Sequence, residues 1–94
     1  MRIVWSRRAI GHFVHLREYV EKASEKGASR IAGRILKAVD ALRDHPDMGR
    51  PGRLQGTREL VVPGTAYVIP YRVRGERLEL IAVFHGRQKW PGKL

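Results

Sequence analysis

His85, Arg87, Lys89 and Trp90 stand together in the segment HGRQKW near the C-terminus. These are the residue types best suited to chemistry. In phosphodiester cleavage a cation steadies charge on the scissile phosphate and a histidine can move the proton. Arg87 and His85 are therefore the candidate catalytic pair. Each also has a purely structural use. A histidine can hold a chain bend by hydrogen bonds, and a tryptophan followed by Pro91 and Gly92 can anchor the tail to the core instead of stacking on a base. Spacing alone favours the structural use for both.

The remaining candidates are few. His12 and His15 lie three residues apart, the right spacing for one helix face, but no cysteine or carboxylate completes a metal-ligand pattern. They read as a polar helix edge, and no metal or cofactor is expected. No Walker loop, dinucleotide-binding glycine pattern, HExxH or nucleophile elbow occurs. The chain has no cysteine, so disulfides and thiolate metal sites are excluded. It has no apolar run near the roughly 20 residues that span a bilayer, and no signal-peptide core at its start. A cytoplasmic protein with no membrane association is the expectation.

Charge is the strongest compositional signal. The chain has 94 residues and a formal net charge of +10, from 19 Lys and Arg against 9 Asp and Glu. The excess is greater in residues 49–94, which include the basic tail residues Arg87, Lys89 and Lys93. Such a balance suits a polyanion or an acidic protein partner. A basic nucleic-acid-binding module is one reading that needs nothing further.

A chain of this length is one domain, residues 1–94, with a modest core. Residues 2–5 form a short strand. Ser6 is a good N-cap for a helix over residues 7–24, where Ala9, Phe13, Leu16, Val20 and Ala23 recur at helical spacing. Gly27 ends or interrupts it. A second helix, starting at Ser29 or the Gly27-Ala28 pair and running to about Asp44, carries the stripe Ile31, Ile35, Ala38, Val39 and Leu42. Its row Arg30, Arg34 and Lys37 reads as a solvated face. The short link makes an antiparallel hairpin that must cover a sheet. Residues 45–52 contain two prolines and two glycines and read as irregular loop, with Arg50 and Arg53 exposed.

Three strands follow, over residues 57–62, 66–74 and 78–84. In the second, Tyr67, Ile69, Tyr71 and Val73 share one face, and Val68, Pro70, Arg72 and Arg74 the other. Pro70 cannot donate to a ladder and predicts a local break or bulge. Gly75 turns the chain into the third strand, which is apolar on both faces apart from Glu79, as for a central strand. The fold class is α+β: an N-terminal strand, a two-helix antiparallel hairpin, then a three-stranded antiparallel sheet, in the order β-α-α-β-β-β. Phe13, Leu16, Ile35 and Leu42 should pack against Tyr67, Ile69 or Leu80.

This order, the loop GRPGRLQGTRELVV, the strand YVIPYRV and the ending LELIAVFHGRQKWP resemble the RelE/ParE toxins of bacterial type II toxin–antitoxin systems. The resemblance covers essentially the whole chain. Its strongest pieces are GTREL, the Y-x-x-x-Y-x-V strand and the HGxQxWP ending. It implies a toxin neutralised by a cognate antitoxin whose toxin-binding segment is acidic. RelE-like members cleave messenger RNA on the ribosome, whereas ParE-like members inhibit DNA gyrase without nuclease activity.

Carried over by position, Arg87 matches the catalytic arginine near the end of the last strand. Val68 stands where RelE-like enzymes have an arginine. Glu59 and Val61 stand at the basic positions of the preceding strand, beside Arg58, and no tyrosine follows Trp90. The resemblance therefore implies a gyrase inhibitor, with a ribosome-dependent endonuclease using Arg87 and His85 as the alternative. The expected target-binding residues are Arg50, Arg53, Arg58, Arg72, Arg74, Arg87, Lys89 and Trp90. The expected antitoxin-binding residues are Phe13, Arg17, Val20, Arg34 and Arg72.

Overall fold

A computed structural model describes residues 1–92; Lys93 lies outside the described residues. The elements are β1 (Arg2–Trp5), α1 (Arg7–Glu21), α2 (Glu25–Ala41), β2 (Arg50–Pro51), β3 (Arg58–Val61), β4 (Tyr67–Arg74), β5 (Arg77–Leu80) and β6 (Phe84–His85). The architecture is α+β, with the helical hairpin on one face of the sheet. No described helix is long and apolar enough to cross a membrane.

Ser6 caps α1 as expected, its hydroxyl accepting from the Ala9 amide at 3.0 Å. The same hydroxyl donates to the Ile81 carbonyl at 2.8 Å, tying the helix start to the far end of the chain. The inter-helix boundary differs from expectation. α1 ends at Glu21, and α2 begins at Glu25 rather than at residues 27–29. Ser24 is the cause. Its hydroxyl accepts from the Gly27 amide at 2.9 Å, and Glu25 places a negative charge in the first turn, where the helix dipole favours it. Gly27 thus lies inside α2, in a tight spot where a Cβ would meet Ser24 and Val20 at 3.2 to 3.6 Å.

The sheet order is β1-β5-β4-β3-β2, with β6 also on β4. The pairings β2–β3, β3–β4 and β4–β5 are antiparallel. β1 lies beside β5 and parallel to it, so the complete sheet is mixed and the antiparallel description holds for its later strands. Residues 50 and 51 pair with β3, although their loop was expected to be irregular throughout. Just before β2 the Gly49 amide turns away to donate to the Tyr71 hydroxyl at 2.9 Å.

The last expected strand, residues 78–84, is broken into β5 and β6. Pro70 explains the break. Its carbonyl accepts from the Ile81 amide at 2.9 Å, so its peptide edge faces this neighbour, but it has no N–H to return. The ladder lapses over residues 81–83 and resumes when Phe84 pairs with Val68. The β4–β5 turn has two central residues, Gly75 and Glu76, between the paired Arg74 and Arg77. Gly75 alone has positive φ there, +60°, which suits a type II′ hairpin.

The core lies between hairpin and sheet. Leu16, Ile35, Val39 and Leu42 pack with Leu60, Ile69, Tyr71, Leu78 and Leu80, while Phe13 and Tyr67 sit at its margin.

Candidate functional site

The sheet face away from the helices is arranged around two carboxylates. Strand alternation puts Glu59, Pro70, Val68, Arg72 and Glu79 on this face, because Glu59 pairs with Pro70 and Arg72 with Glu79. Glu59 is only 3% exposed. Its Oε1 accepts from Arg50 Nε and Nη2 at 3.1 and 2.9 Å. Its Oε2 accepts from the Arg53 amide and Arg53 Nε at 2.9 and 3.1 Å. Burial alone would push the carboxyl up, but the Arg53 amide and the Arg53 and Arg50 guanidiniums outweigh it and hold Glu59 below the usual carboxylate range.

Glu79 does the same for the other end of the face. It accepts from Arg72 Nε at 2.8 Å and lies 3.0 Å from Arg77 Nη2 and 3.9 Å from Arg74 Nε. The Arg72 hydrogen bond is the chief reason its carboxyl is held low. Beside it a cleft of about 480 Å³ opens between the loop at Leu54–Thr57 and the ends of β1 and β5. Arg8, Gln55, Arg72 and Glu79 line it.

The tail closes the middle of the face. Trp90 packs on Phe84 with ring centroids 4.7 Å apart, and the Arg53 guanidinium stacks 3.5 Å from the indole centroid. Its Nε1 is buried with no hydrogen-bond partner. Trp90 is thus the anchor of the tail. His85 holds the bend before it. The His85 amide donates to Gln88 Oε1 at 3.0 Å, and His85 Nδ1 accepts from the Arg87 amide at 3.1 Å. That acceptor role places the ring proton of neutral His85 on Nε2.

Of the expected target-binding residues, the structure brings Arg50, Arg53, Arg72 and Arg74 to this face, with Trp90 across it. Arg58 is on the other parity of β3 and donates to the Asp47 and Gly49 carbonyls at 3.2 and 2.8 Å, bracing the loop before β2. Arg87 and Lys89 are exposed on the tail. The expected antitoxin-binding residues are divided between the hairpin, which carries all but one, and the sheet, which carries Arg72. Arg17, Val20 and Arg34 are on the hairpin, Phe13 is engaged edge-to-face with Trp5 at 5.4 Å, and Arg72 is across the sheet.

His12 is half-buried, and its Nδ1 accepts from the Val83 amide at 3.1 Å. Burial, then Arg8 and His15, hold its pKa below the ordinary value. Among the described residues no group of three or more potential ligands could hold a metal. The sequence reading missed Glu59 and Glu79 as organisers, and Arg2, Arg8 and Arg77 as members of the same region. The available signal was alternation: a lone acid inside each of two apolar strands, flanked by arginines.

The strand-helix-helix-strand order of this fold is that of a known group of toxins. The ParE toxin of type II toxin–antitoxin systems is the family whose model matches residues 3–90, and the chain belongs to that family. It is similar to Y4kP, a candidate toxin of Sinorhizobium fredii, at 43% identity over 96% of this chain and 93% of that one. Toxin RelE2 of Caulobacter vibrioides is 31% identical over 89% of this chain and 93% of its own. A solved structure from the chromosomal ParDE system of P. aeruginosa superposes with a TM-score of 0.82 at 23% identity, covering 90% of this chain and 95% of that one.

Proposed function

We propose that this type II toxin inhibits DNA gyrase by binding, in the cytoplasm, and that a cognate antitoxin with an acidic toxin-binding segment neutralises it. One observation carries the choice of target. The positions where a RelE-like ribonuclease places strand cations are Glu59, Val61 and Val68. Glu59 is buried with both oxygens saturated, and Val68 is buried. Losing one such electrostatic group typically removes about 2.7–4 kcal/mol of transition-state stabilisation. Arg87 would remain beside a histidine whose Nδ1 is already engaged by the chain's own amide. That set is too small for efficient transesterification.

The antitoxin reading draws support from a basic-rimmed hollow of about 630 Å³ between α2 and β3. Arg34 and Lys37 flank a floor that includes Ala38, Met48 and Leu60. An acidic amphipathic segment is the complement of such a groove. Exposed Ile10 and Val14 extend the apolar surface over the hairpin.

Transcript-end mapping in a translating extract tests the mechanism. No codon-phased cuts are expected with the wild-type chain. In cells, Arg87→Ala should weaken toxicity through lost contacts, and His85→Gln should do less. Codon-phased cuts abolished by either substitution would replace this reading with the ribosome-dependent endonuclease.

A further inference from the structure

The sheet register puts three arginines in one row. Arg2 is paired with Arg77, and Arg77 with Arg74. Their side chains leave the face opposite the helices from adjacent strands, about 4.8 Å apart. All three are exposed. Like charges directly opposite on neighbouring strands are unfavourable. Glu79, which also serves Arg72, is the carboxylate within ion-pair distance of Arg74 and Arg77, and none lies within that distance of Arg2 among the described residues. Among the described residues Glu76 in the adjacent turn makes no ion pair. Three guanidiniums, those of Arg72, Arg74 and Arg77, thus share one carboxylate, with Arg2 next in the row, and Arg72 and Glu79 also line the cleft beside Arg8 and Gln55.

We propose that this end of the sheet binds the phosphate backbone of duplex DNA. Guanidinium groups at neighbouring positions suit phosphate oxygens, and a polyanion relieves the repulsion that the register imposes. A single strand is the poorer fit, because it needs an open aromatic platform. The face offers none: Trp90 is taken up by Phe84 and Arg53, and Tyr67 and Tyr71 point to the helices. The contact requires no gyrase, so its test is independent of the target proposed above.

The test is fluorescence anisotropy of a labelled, arbitrary-sequence DNA duplex titrated with the full chain over a series of salt concentrations. Each phosphate contact contributes about 0.9 to the slope of log K against log salt. Arg2→Gln/Arg74→Gln/Arg77→Gln should lower the slope's magnitude by about 2.7. A control with the same charge change on exposed hairpin residues, Lys22→Gln/Lys26→Gln/Arg30→Gln, should leave it nearly unchanged. Circular dichroism establishes that both variants fold, and substitutions at exposed sites should permit this. Equal loss in both variants, an unchanged slope in the sheet variant, or no duplex binding at all would overturn the proposal. Tighter binding of a single strand or of an RNA duplex of the same length would overturn the assignment to duplex DNA.

Discussion

Glu59 shows how a residue can determine the chemistry of a face without performing any. Its carboxylate accepts four hydrogen bonds and fixes Arg50 and Arg53, and through Arg53 it sets the seat of Trp90. Hydrogen bonds to a charged group contribute about 1.5–3 kcal/mol, and Glu59→Gln should cost about that much near neutral pH in denaturant unfolding. The pH dependence has a definite sign. The folded-state pKa lies below the ordinary carboxyl value of 4.5, so this stabilisation is complete above that value and is lost as pH falls through the folded pKa. The variant should show a flatter acid limb than the wild type. Parallel limbs would show that Glu59 is not the group responsible. His12 adds a second limb at higher pH. Its pKa is held below 6.5, so its contribution is full above 6.5 and declines as pH drops through the folded value. His12→Asn, which keeps an acceptor for the Val83 amide, should remove that decline from the unfolding midpoint measured against pH.

At the scale of elements, the sheet depends on pins between loop and strand. The Tyr71 hydroxyl donates to the Pro46 carbonyl at 2.8 Å and accepts from the Gly49 amide at 2.9 Å. Tyr71→Phe leaves both groups unpaired in a buried site, at a cost of about 1–3 kcal/mol. Faster hydrogen exchange at Gly49 and Arg50, with β4 and β5 still protected, is the expected signature. Uniform acceleration across the sheet would contradict a local role. These elements also show what was legible beforehand. The apolar stripes located both helices, and alternation along Tyr67–Arg74 assigned its two faces, because periodicity reports burial directly. The β5–β6 break was not legible. The defect is in Pro70, but its consequence falls on the neighbouring strand, which reads as continuous. The start of α2 was missed because Gly27 outweighed the cap offered by Ser24. In the site, arginines were visible as charge, whereas their grouping on Glu59 and Glu79 depends on register between strands distant in sequence.

On the scale of the whole molecule, a thin core is combined with two unlike surfaces. One is the hairpin side, with exposed Ile10 and Val14 and the hollow between α2 and β3. The other is the arginine-bearing sheet face. A protein with this composition should be toxic when expressed alone, and co-expression with an acidic antitoxin should restore growth and solubility. The central claim is that the toxin acts on gyrase by binding rather than on messenger RNA by cleavage. The most direct measurement is a supercoiling reaction with purified gyrase, relaxed plasmid and a titration of the full chain, with and without the antitoxin. Dose-dependent loss of supercoiling, reversed by the antitoxin, is the expected result. Full supercoiling at every toxin concentration, from a preparation that still arrests growth, would contradict it.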